Sequence, residues 1–186
     1  MASRNIARIK LEPKERPRRT LDERLSLRFP KLAAVGSRLI SRLPPGSRLR
    51  QAILRRSMEL AAAAYNRRDL DAVVMAYRPG FEYLPAQKWI DAGLVEPRYV
   101  GKDGYIAYVR ATEEVWGEDN LFQPLEAFDL GDRVVILADE RMRARASGIL
   151  LTEKFAYVLT LERGQPVRLQ EYYDHAEALA AVGLSE

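Results

Sequence analysis

The chain has 186 residues, of which 47% are hydrophobic and 30% charged, and its formal net charge is +4. These values are ordinary for a soluble globular protein with one domain and an appendage. The absence of cysteine excludes disulfide scaffolds, thiolate nucleophiles and cysteine–zinc sites. His175 is the single histidine, so we expect neither a metal ion nor a cofactor. Without a run of about 18 apolar residues or an apolar leader segment, the sequence predicts a cytoplasmic location.

The charge is divided between two parts of the chain. Residues 1–56 carry 16 Lys or Arg against 4 Asp or Glu, whereas residues 57–186 carry 14 against 22. Residues 1–20 contain prolines among basic residues and have almost no apolar periodicity, which predicts a basic, disordered tail. Residues 21–56 combine apolar side chains at helical spacing with arginines, which predicts a basic amphipathic helical extension.

The helical extension has two interpretations. Its apolar stripe packs on the rest of the chain or on a second subunit, or it adsorbs to the surface of an anionic membrane. Basic helices beside acidic domains are common, so packing is the expected arrangement and membrane contact is the less expected one. Binding of nucleic acid is not expected, because the extension has one aromatic residue, Phe29, and no motif for base contact.

Residues 57–186 have the pattern of one compact α+β domain. The first elements predicted are two helices, a short strand and a third helix, at 58–66, 70–77, 81–84 and 103–116. The period then changes to two, which predicts four strands at about 121–129, 133–146, 149–162 and 166–173. A last helix over 175–182 follows Asp174, a typical N-cap residue. This order predicts a curved antiparallel sheet with helices on its concave face.

The order and spacing of several local motifs resemble the SnoaL-like family of the nuclear transport factor 2-like superfamily. The motifs are AYNRRDLDAVVMAYRPGFEY, YVGKDGYIAYVRATEEVW, AFDLGDRVVILADERMRARASG, FAYVLTLERG and VRLQEYYDHAEALAAVGL. The resemblance covers most of residues 57–186 and implies a cone-shaped domain, usually a homodimer formed through the outer sheet face. It also implies a pocket between sheet and helices, for which we expect a small apolar molecule. It does not imply one activity, because the superfamily includes cyclases, isomerases, hydrolases and members with no known chemistry.

The two hairpin turns predict which side chains face that pocket. With Ser147–Gly148 as a two-residue loop, Glu140 and Tyr157 fall on the mostly apolar face, which we therefore expect to be concave. The opposite face carries Arg141, Arg143 and Arg145. With Arg163–Gly164 as the next loop, the same register adds three polar residues to the concave face: Arg168, Gln170 and Tyr172. A slip of one residue at either turn would send its set outward.

These residues define a hypothetical acid/base site. Glu140 is the candidate general base, and Tyr157 or Tyr172 would donate a hydrogen bond to a substrate oxygen. The alternative is a structural ion pair between Glu140 and Arg168. Arg168 and Gln170 are also candidate ligand-binding residues. Four aromatic residues are either ligand wall or core: Tyr65, Tyr83, Trp89 and Trp116. Trp89 lies in an irregular segment that has the character of a flap over the pocket.

Comparison with the characterised enzymes of the superfamily limits the activities expected. Leu84 stands where ketosteroid isomerases carry an aspartate, so steroid isomerase activity is not expected. Three hypotheses remain open. The chain is a pocket protein that binds a small apolar molecule, an isomerase, cyclase or hydrolase that uses Glu140 without metal or cofactor, or an interaction module that docks through its basic extension.

Overall fold

The computed structural model describes residues 6–12 and 17–184. Their helices are α1 Leu21–Arg28, α2 Pro30–Ile40, α3 Arg48–Asn66, α4 Leu70–Val73, α5 Gln87–Asp91, α6 Gly101–Trp116 and α7 His175–Ala181. Their strands are β1 Ala7–Lys10, β2 Glu82–Leu84, β3 Tyr99–Val100, β4 Leu121–Asp129, β5 Arg133–Arg143, β6 Leu150–Glu162 and β7 Gln165–Tyr172. The predicted α+β class is confirmed.

The strands form one curved, open sheet in the order β1-β4-β5-β6-β7-β2-β3. Consecutive strands from β4 to β7 are antiparallel, because each is joined to the next by a short turn. β2 is the exception and pairs with β7 in parallel. Since 36 residues separate Leu84, the end of β2, from Leu121, the start of β4, the chain has room to place α6 across the sheet between these two strands. The long strands therefore make one wall, and the helices make the other.

The N-terminal segment contains a strand that the sequence pattern did not predict. We expected residues 1–20 to be disordered, but Ala7–Lys10 pairs antiparallel with β4 and forms one edge of the sheet. Ile9 and Leu11 are buried beneath α3, which explains why so short and basic a segment is ordered. The same prediction also covered residues 1–5 and 13–16, which lie outside the described residues.

The extension and the cone share one helix. We expected a boundary between residues 56 and 57, but α3 runs through that point without a break. Its predicted N-cap is confirmed, since the Oγ of Ser47 accepts a hydrogen bond from the backbone N–H of Arg50 at 3.4 Å. The short helices α1 and α2 precede it, joined at Phe29. Two of the predicted segments are thus physically continuous.

A buried ion pair fastens this region to the sheet. Arg50 and Asp129 are 1% and 0% exposed, and their side chains form two hydrogen bonds, with Nε–Oδ2 at 2.6 Å and Nη2–Oδ1 at 2.9 Å. The remaining guanidinium hydrogens are donated to backbone carbonyl oxygens of Ser41, Leu43 and Gly131. A buried charge is tolerated when every donor is satisfied in this way. The guanidinium group therefore links α3, the segment after α2 and the β4–β5 turn. We name this arrangement the Arg50 clamp.

The two faces of the sheet are covered by different helices. On the concave face, β5 and β6 lie opposite α3, α5 and α6. On the convex face, α7 packs over Val135, Leu137 and Val158. The prediction had placed the helices on the concave side, and α7 is the helix that departs from it. Its start agrees with the prediction, because the carboxylate of Asp174 accepts hydrogen bonds from the backbone N–H groups of Ala176 and Glu177.

Candidate functional site

A cavity of about 300 Å³ lies between the concave face of the sheet and the helices. One wall is formed by side chains of β5, β6 and β7, and the opposite wall by α3, α5 and α6. Ser37, Ile40 and Ser41 add part of α2 and the residue that follows it, so the extension contributes to the cavity as well. Most of the lining is aromatic or aliphatic, and its ionisable side chains are Arg50, Glu140, Glu171 and tyrosines. The guanidinium group of Arg50 is occupied by the hydrogen bonds of the Arg50 clamp.

The first hairpin orients its side chains as predicted, although its register differs. A two-residue loop at Ser147–Gly148 would pair Glu140 with Phe155. Glu140 instead lies opposite Glu153, because the last pair of the ladder is Arg143–Leu150 and the loop is longer than two residues. The difference is two residues along the strand, and a shift of two leaves every side chain on the same face. Glu140 and Tyr157 accordingly line the cavity. Arg141 and Arg143 are exposed on the other face of β5, and Arg145 is exposed in the loop that follows the strand.

The second hairpin contains a β-bulge that reverses the predicted orientation of three residues. Leu161 pairs with Pro166 but Thr160 pairs with Arg168, so Val167 is an extra residue in β7. Beyond the bulge the alternation is inverted. The prediction that Arg168, Gln170 and Tyr172 face the concave side was therefore wrong. Arg168 binds the carboxylate of Glu82, Gln170 donates to the carbonyl oxygen of Leu84, and Tyr172 packs on the convex cluster beneath α7.

The same bulge turns Glu171 into the cavity. Its side chain is 2% exposed and its carboxylate accepts hydrogen bonds from three donors. Tyr83 Oη donates to Oε2 at 2.7 Å, Tyr108 Oη donates to Oε2 at 2.9 Å, and Trp89 Nε1 donates to Oε1 at 3.0 Å. Burial raises the pKa of Glu171, while these hydrogen bonds act in the opposite direction. Three donors aimed at one carboxylate favour its ionised form, which accepts without donating.

Glu140 is the second buried carboxylate of the cavity. Within the described residues, its hydrogen bond comes from Tyr157 Oη, 2.5 Å from Oε1. Burial, and then repulsion from Glu171, raise the pKa of Glu140 to about 7, against the lowering effect of the Tyr157 hydrogen bond. The alternative ion pair with Arg168 is not formed, since Arg168 binds Glu82 on the outer side. Glu140 is therefore close to half ionised near neutral pH.

The four predicted aromatic residues all line the cavity: Tyr65, Tyr83, Trp89 and Trp116. Trp89 lies on α5, inside the segment that we interpreted as a flap, and its ring contacts those of Trp116, Phe155 and Tyr173. These residues pack in the core and line the cavity at once, so the two predicted roles are not exclusive. Through its hydrogen bond to Glu171, Trp89 also holds that carboxylate in place.

One polar side chain of the cavity lacks a partner. Asn120 is 3% exposed and lines the cavity, and its Oδ1 accepts no hydrogen bond from the part of the chain that the structure describes. A buried amide oxygen without a donor costs about 1–3 kcal/mol, and a bound ligand or water with a donor group would recover it. The cavity therefore presents two acceptors close together on neighbouring parts of the sheet, Asn120 directly before β4 and Glu140 on β5.

Sequence analysis missed Glu171, Tyr108 and Asn120. Tyr108 lies on α6 at a position where an aromatic residue reads simply as core. Asn120 lies in the short segment before β4, outside any periodic pattern. Glu171 was assigned to the outer face because the bulge was not foreseen, and Pro166 was the available signal. Proline lacks the N–H group that a regular ladder needs and is found at bulges.

Neither a metal centre nor a membrane span is found in residues 6–12 and 17–184. No group of three or more His, Asp or Glu side chains there is arranged to hold a metal ion. No helix among these residues is both long and apolar enough to cross a membrane.

Comparison with known proteins identifies the fold. No family model matches the chain, and no curated protein matches its sequence. A nuclear transport factor 2-like protein of unknown function from Burkholderia pseudomallei K96243 is 26% identical with a TM-score of 0.58, covering 69% of this chain and 95% of that one. TerC, co-crystallised with polyporic acid, is 21% identical with a TM-score of 0.57, covering 64% and 89%. A structure described as a SnoaL-like polyketide cyclase from Jannaschia sp. CCS1 is 18% identical with a TM-score of 0.51, covering 68% and 86%.

The chain therefore has the nuclear transport factor 2-like fold, as the motifs in residues 57–186 predicted. Structures described as SnoaL-like polyketide cyclases and as ketosteroid isomerase-like share this fold with it. The matched structures cover between 64% and 69% of the chain in these examples, which leaves part of it without a counterpart.

Proposed function

We propose that this protein binds a small, largely apolar molecule in the cavity of its cone. The observation that carries the proposal is an aromatic and aliphatic cavity of about 300 Å³ with few polar groups pointing into it. Ligand sites have this composition, in which apolar walls supply affinity and a small number of polar groups fix orientation. Glu140 and Asn120 are the groups that would orient the ligand here.

The charge of the cavity restricts the ligand further. Hydrogen bonds from three donors favour the carboxylate form of Glu171 against burial, which raises its pKa, and Glu140 lines the same cavity. Arg50 of the lining is paired with Asp129. Arg68, whose charge lowers the pKa of Glu140, is paired with Glu113 and is not part of the lining. An anionic ligand would be repelled in a site of low dielectric constant. We therefore expect a neutral or cationic molecule with at least one hydrogen-bond donor.

Binding is tested by fluorescence titration of the full-length protein with N-phenyl-1-naphthylamine, a neutral apolar probe. We expect saturable binding by the wild type. Leu159→Trp would fill the cavity, because Leu159 lines it, and should abolish that binding. Thr160→Trp is the matched control, since the adjacent residue of a strand points to the opposite face. No saturable binding by the wild type, or equal loss in both variants, would contradict the proposal. Native mass spectrometry of the purified protein then identifies any ligand that it retains.

A second candidate function, acid/base catalysis by Glu140, is favoured by one observation. A carboxyl group with a pKa of about 7 accepts and releases protons near neutral pH, which suits a general base for an isomerase, cyclase or hydrolase. Tyr157 would be the neighbouring hydrogen-bond donor. Tyr172, the other candidate, lies on the convex face and has no part in this version of the hypothesis.

The reactivity of Glu140 is tested with 5-nitrobenzisoxazole, from which a base removes the ring C–H proton while the N–O bond breaks to give a cyanophenolate. The wild type should accelerate this reaction with an apparent pKa of about 7, and Glu140→Gln should not. Equal rates for the two proteins would exclude Glu140 as a base toward a bound substrate. The homodimer and the cytoplasmic location stay predictions, which sedimentation and cell fractionation would test.

A further inference from the structure

The outward faces of α1 and α2 carry a stripe of exposed apolar side chains. Its six members are between 46% and 77% exposed: Leu21, Leu25, Phe29, Leu32, Val35 and Leu39. Single exposed apolar residues are ordinary on protein surfaces, but a contiguous group marks an interaction site. The expected packing of this stripe on the body of the protein is not observed, since the stripe faces away from it.

Arginines accompany the stripe at a constant spacing. Leu21, Leu25, Val35 and Leu39 are each followed three residues later by an exposed arginine, at positions 24, 28, 38 and 42. Residues three apart are neighbours on a helix surface. Leu21, Leu25 and Val35 therefore each have an exposed cation beside them on the helix surface, and Arg42 is exposed in the turn directly after α2.

The acidic residues of this region are turned the other way. In α1, Asp22 binds Arg56 with Oδ2 2.9 Å from Nε, and Glu23 is buried and binds Arg67. Both arginines belong to α3 or the turn after it. α2 contains no acidic residue at all. The outward face thus combines exposed apolar side chains with arginines for which the described residues provide no ion pair.

We propose that this apolar and basic face of α1 and α2 binds the surface of a membrane that contains anionic lipid. A helix with apolar and basic side chains together lies in the lipid interface, where the apolar groups enter the acyl region and the cations meet the headgroups. A second copy of the chain fits less well, because the cores of protein interfaces are depleted of charge. The inference is independent of the ligand proposed for the cavity.

The position of α2 connects this face with the cavity. Ile40 lines the cavity from the inner side of the helix, while Leu39 is exposed on the outer side. A membrane bound to the outer face would therefore lie one helix away from the cavity. An apolar ligand, which partitions into lipid, would then enter and leave the cavity close to the membrane.

The test is sedimentation of the full-length protein with vesicles of phosphatidylcholine alone and of an equimolar mixture with phosphatidylglycerol. We expect binding to the mixed vesicles and little to phosphatidylcholine. The double variants Val35→Gln/Leu39→Gln and Arg38→Gln/Arg42→Gln should each reduce the bound fraction at least about tenfold. The control is Ile149→Gln/Leu150→Gln, which removes two equally exposed apolar side chains from the β5–β6 hairpin and should bind like the wild type.

Three results would overturn the proposal. The first is equal binding of the wild type to both kinds of vesicle. The second is an equal loss of binding in the hairpin control. The third is conversion of a wild-type dimer into a monomer by Val35→Gln/Leu39→Gln in analytical ultracentrifugation, because the stripe would then be covered by a second copy of the chain. All substituted side chains are exposed, so circular dichroism should show an unchanged fold in each variant.

Discussion

Replacing Glu140 with glutamine should change how the stability of the protein depends on pH. The pKa of Glu140 is raised from 4.5 to about 7 in the folded protein, because the carboxylate is buried beside Glu171. The folded state therefore holds the proton more tightly than the unfolded state. Below pH about 4.5 the group is protonated in both states and costs nothing. As the pH rises from about 4.5 to about 7, the carboxyl group ionises in the unfolded state but stays largely protonated in the folded state. The free energy of unfolding therefore falls over this range.

The size of the effect follows from the same shift. One pH unit corresponds to about 1.4 kcal/mol, so moving the pKa from 4.5 to about 7 destabilises the folded wild type by up to about 3 kcal/mol above neutral pH. Glutamine is neutral throughout and keeps a similar shape. The free energy of unfolding of Glu140→Gln, relative to the wild type, should therefore rise by about 3 kcal/mol between pH about 4.5 and about 8.

Urea denaturation followed by tryptophan fluorescence measures this difference at a series of pH values. Glu114→Gln is the matched control, because it makes the same change in charge at an exposed position of α6. A difference between Glu140→Gln and the wild type that stays constant over this pH range would refute the reasoning. It would mean that the burial of Glu140 does not penalise its charge.

Other variants test the Arg50 clamp, the turn beside α2 and the tyrosine of the site. Arg50→Ala should cost about 3–5 kcal/mol in urea denaturation, because it strands a buried carboxylate, whereas the exposed Arg48→Ala should cost little. Gly164→Ala should lower the melting temperature more than Gly148→Ala. Both glycines have positive φ, but of the two only a Cβ at 164 would clash with a backbone oxygen of α2, that of Ser37. Tyr157→Phe should raise the pKa of its carboxylate partner above about 7 in carboxyl NMR, because the hydrogen bond that lowers it is lost.

The part of the site on β5 and β6 could be predicted because its evidence is periodic. Near the hairpin, polar side chains recur at every second position, at 139, 141 and 143 in β5 and at 152 and 154 in β6. The assignment of Glu140 and Tyr157 to the concave face therefore did not depend on the loop length. The register was wrong by two residues and the faces were still right. A register shift by an even number of residues leaves each side chain on the same face, because side chains of a strand alternate between the two faces.

The part of the site on β7 failed because a single residue decides it. Val167 is the extra residue of the bulge, and nothing in the alternation of the eight-residue strand reports its presence. Prolines are the physical clue. The bulge in β7 adjoins Pro166, and the second irregularity of the sheet, in β4, adjoins Pro124. A proline inside a predicted strand of such a sheet should be treated as a point where the faces can exchange.

The order of the N-terminal segment could not be read from composition either. Lys, Arg and Pro around residues 7–10 are typical of a disordered segment, yet two buried side chains and the hydrogen bonds to β4 suffice to fix a strand there. Those contacts involve residues about 120 positions away, which no local pattern encodes. The continuity of α3 was missed because the change in charge at residue 56 was interpreted as a structural boundary.

β1 also determines how copies of this protein can associate. It occupies the free hydrogen-bonding side of β4, a nine-residue strand that would otherwise be open to pairing with another chain. What remains exposed at that end is four residues long and carries Arg8 and Lys10, whose charges oppose further strand addition. These features disfavour extension of the sheet across this edge. Removal of the first twelve residues should leave β4 as an exposed edge strand that is prone to aggregation.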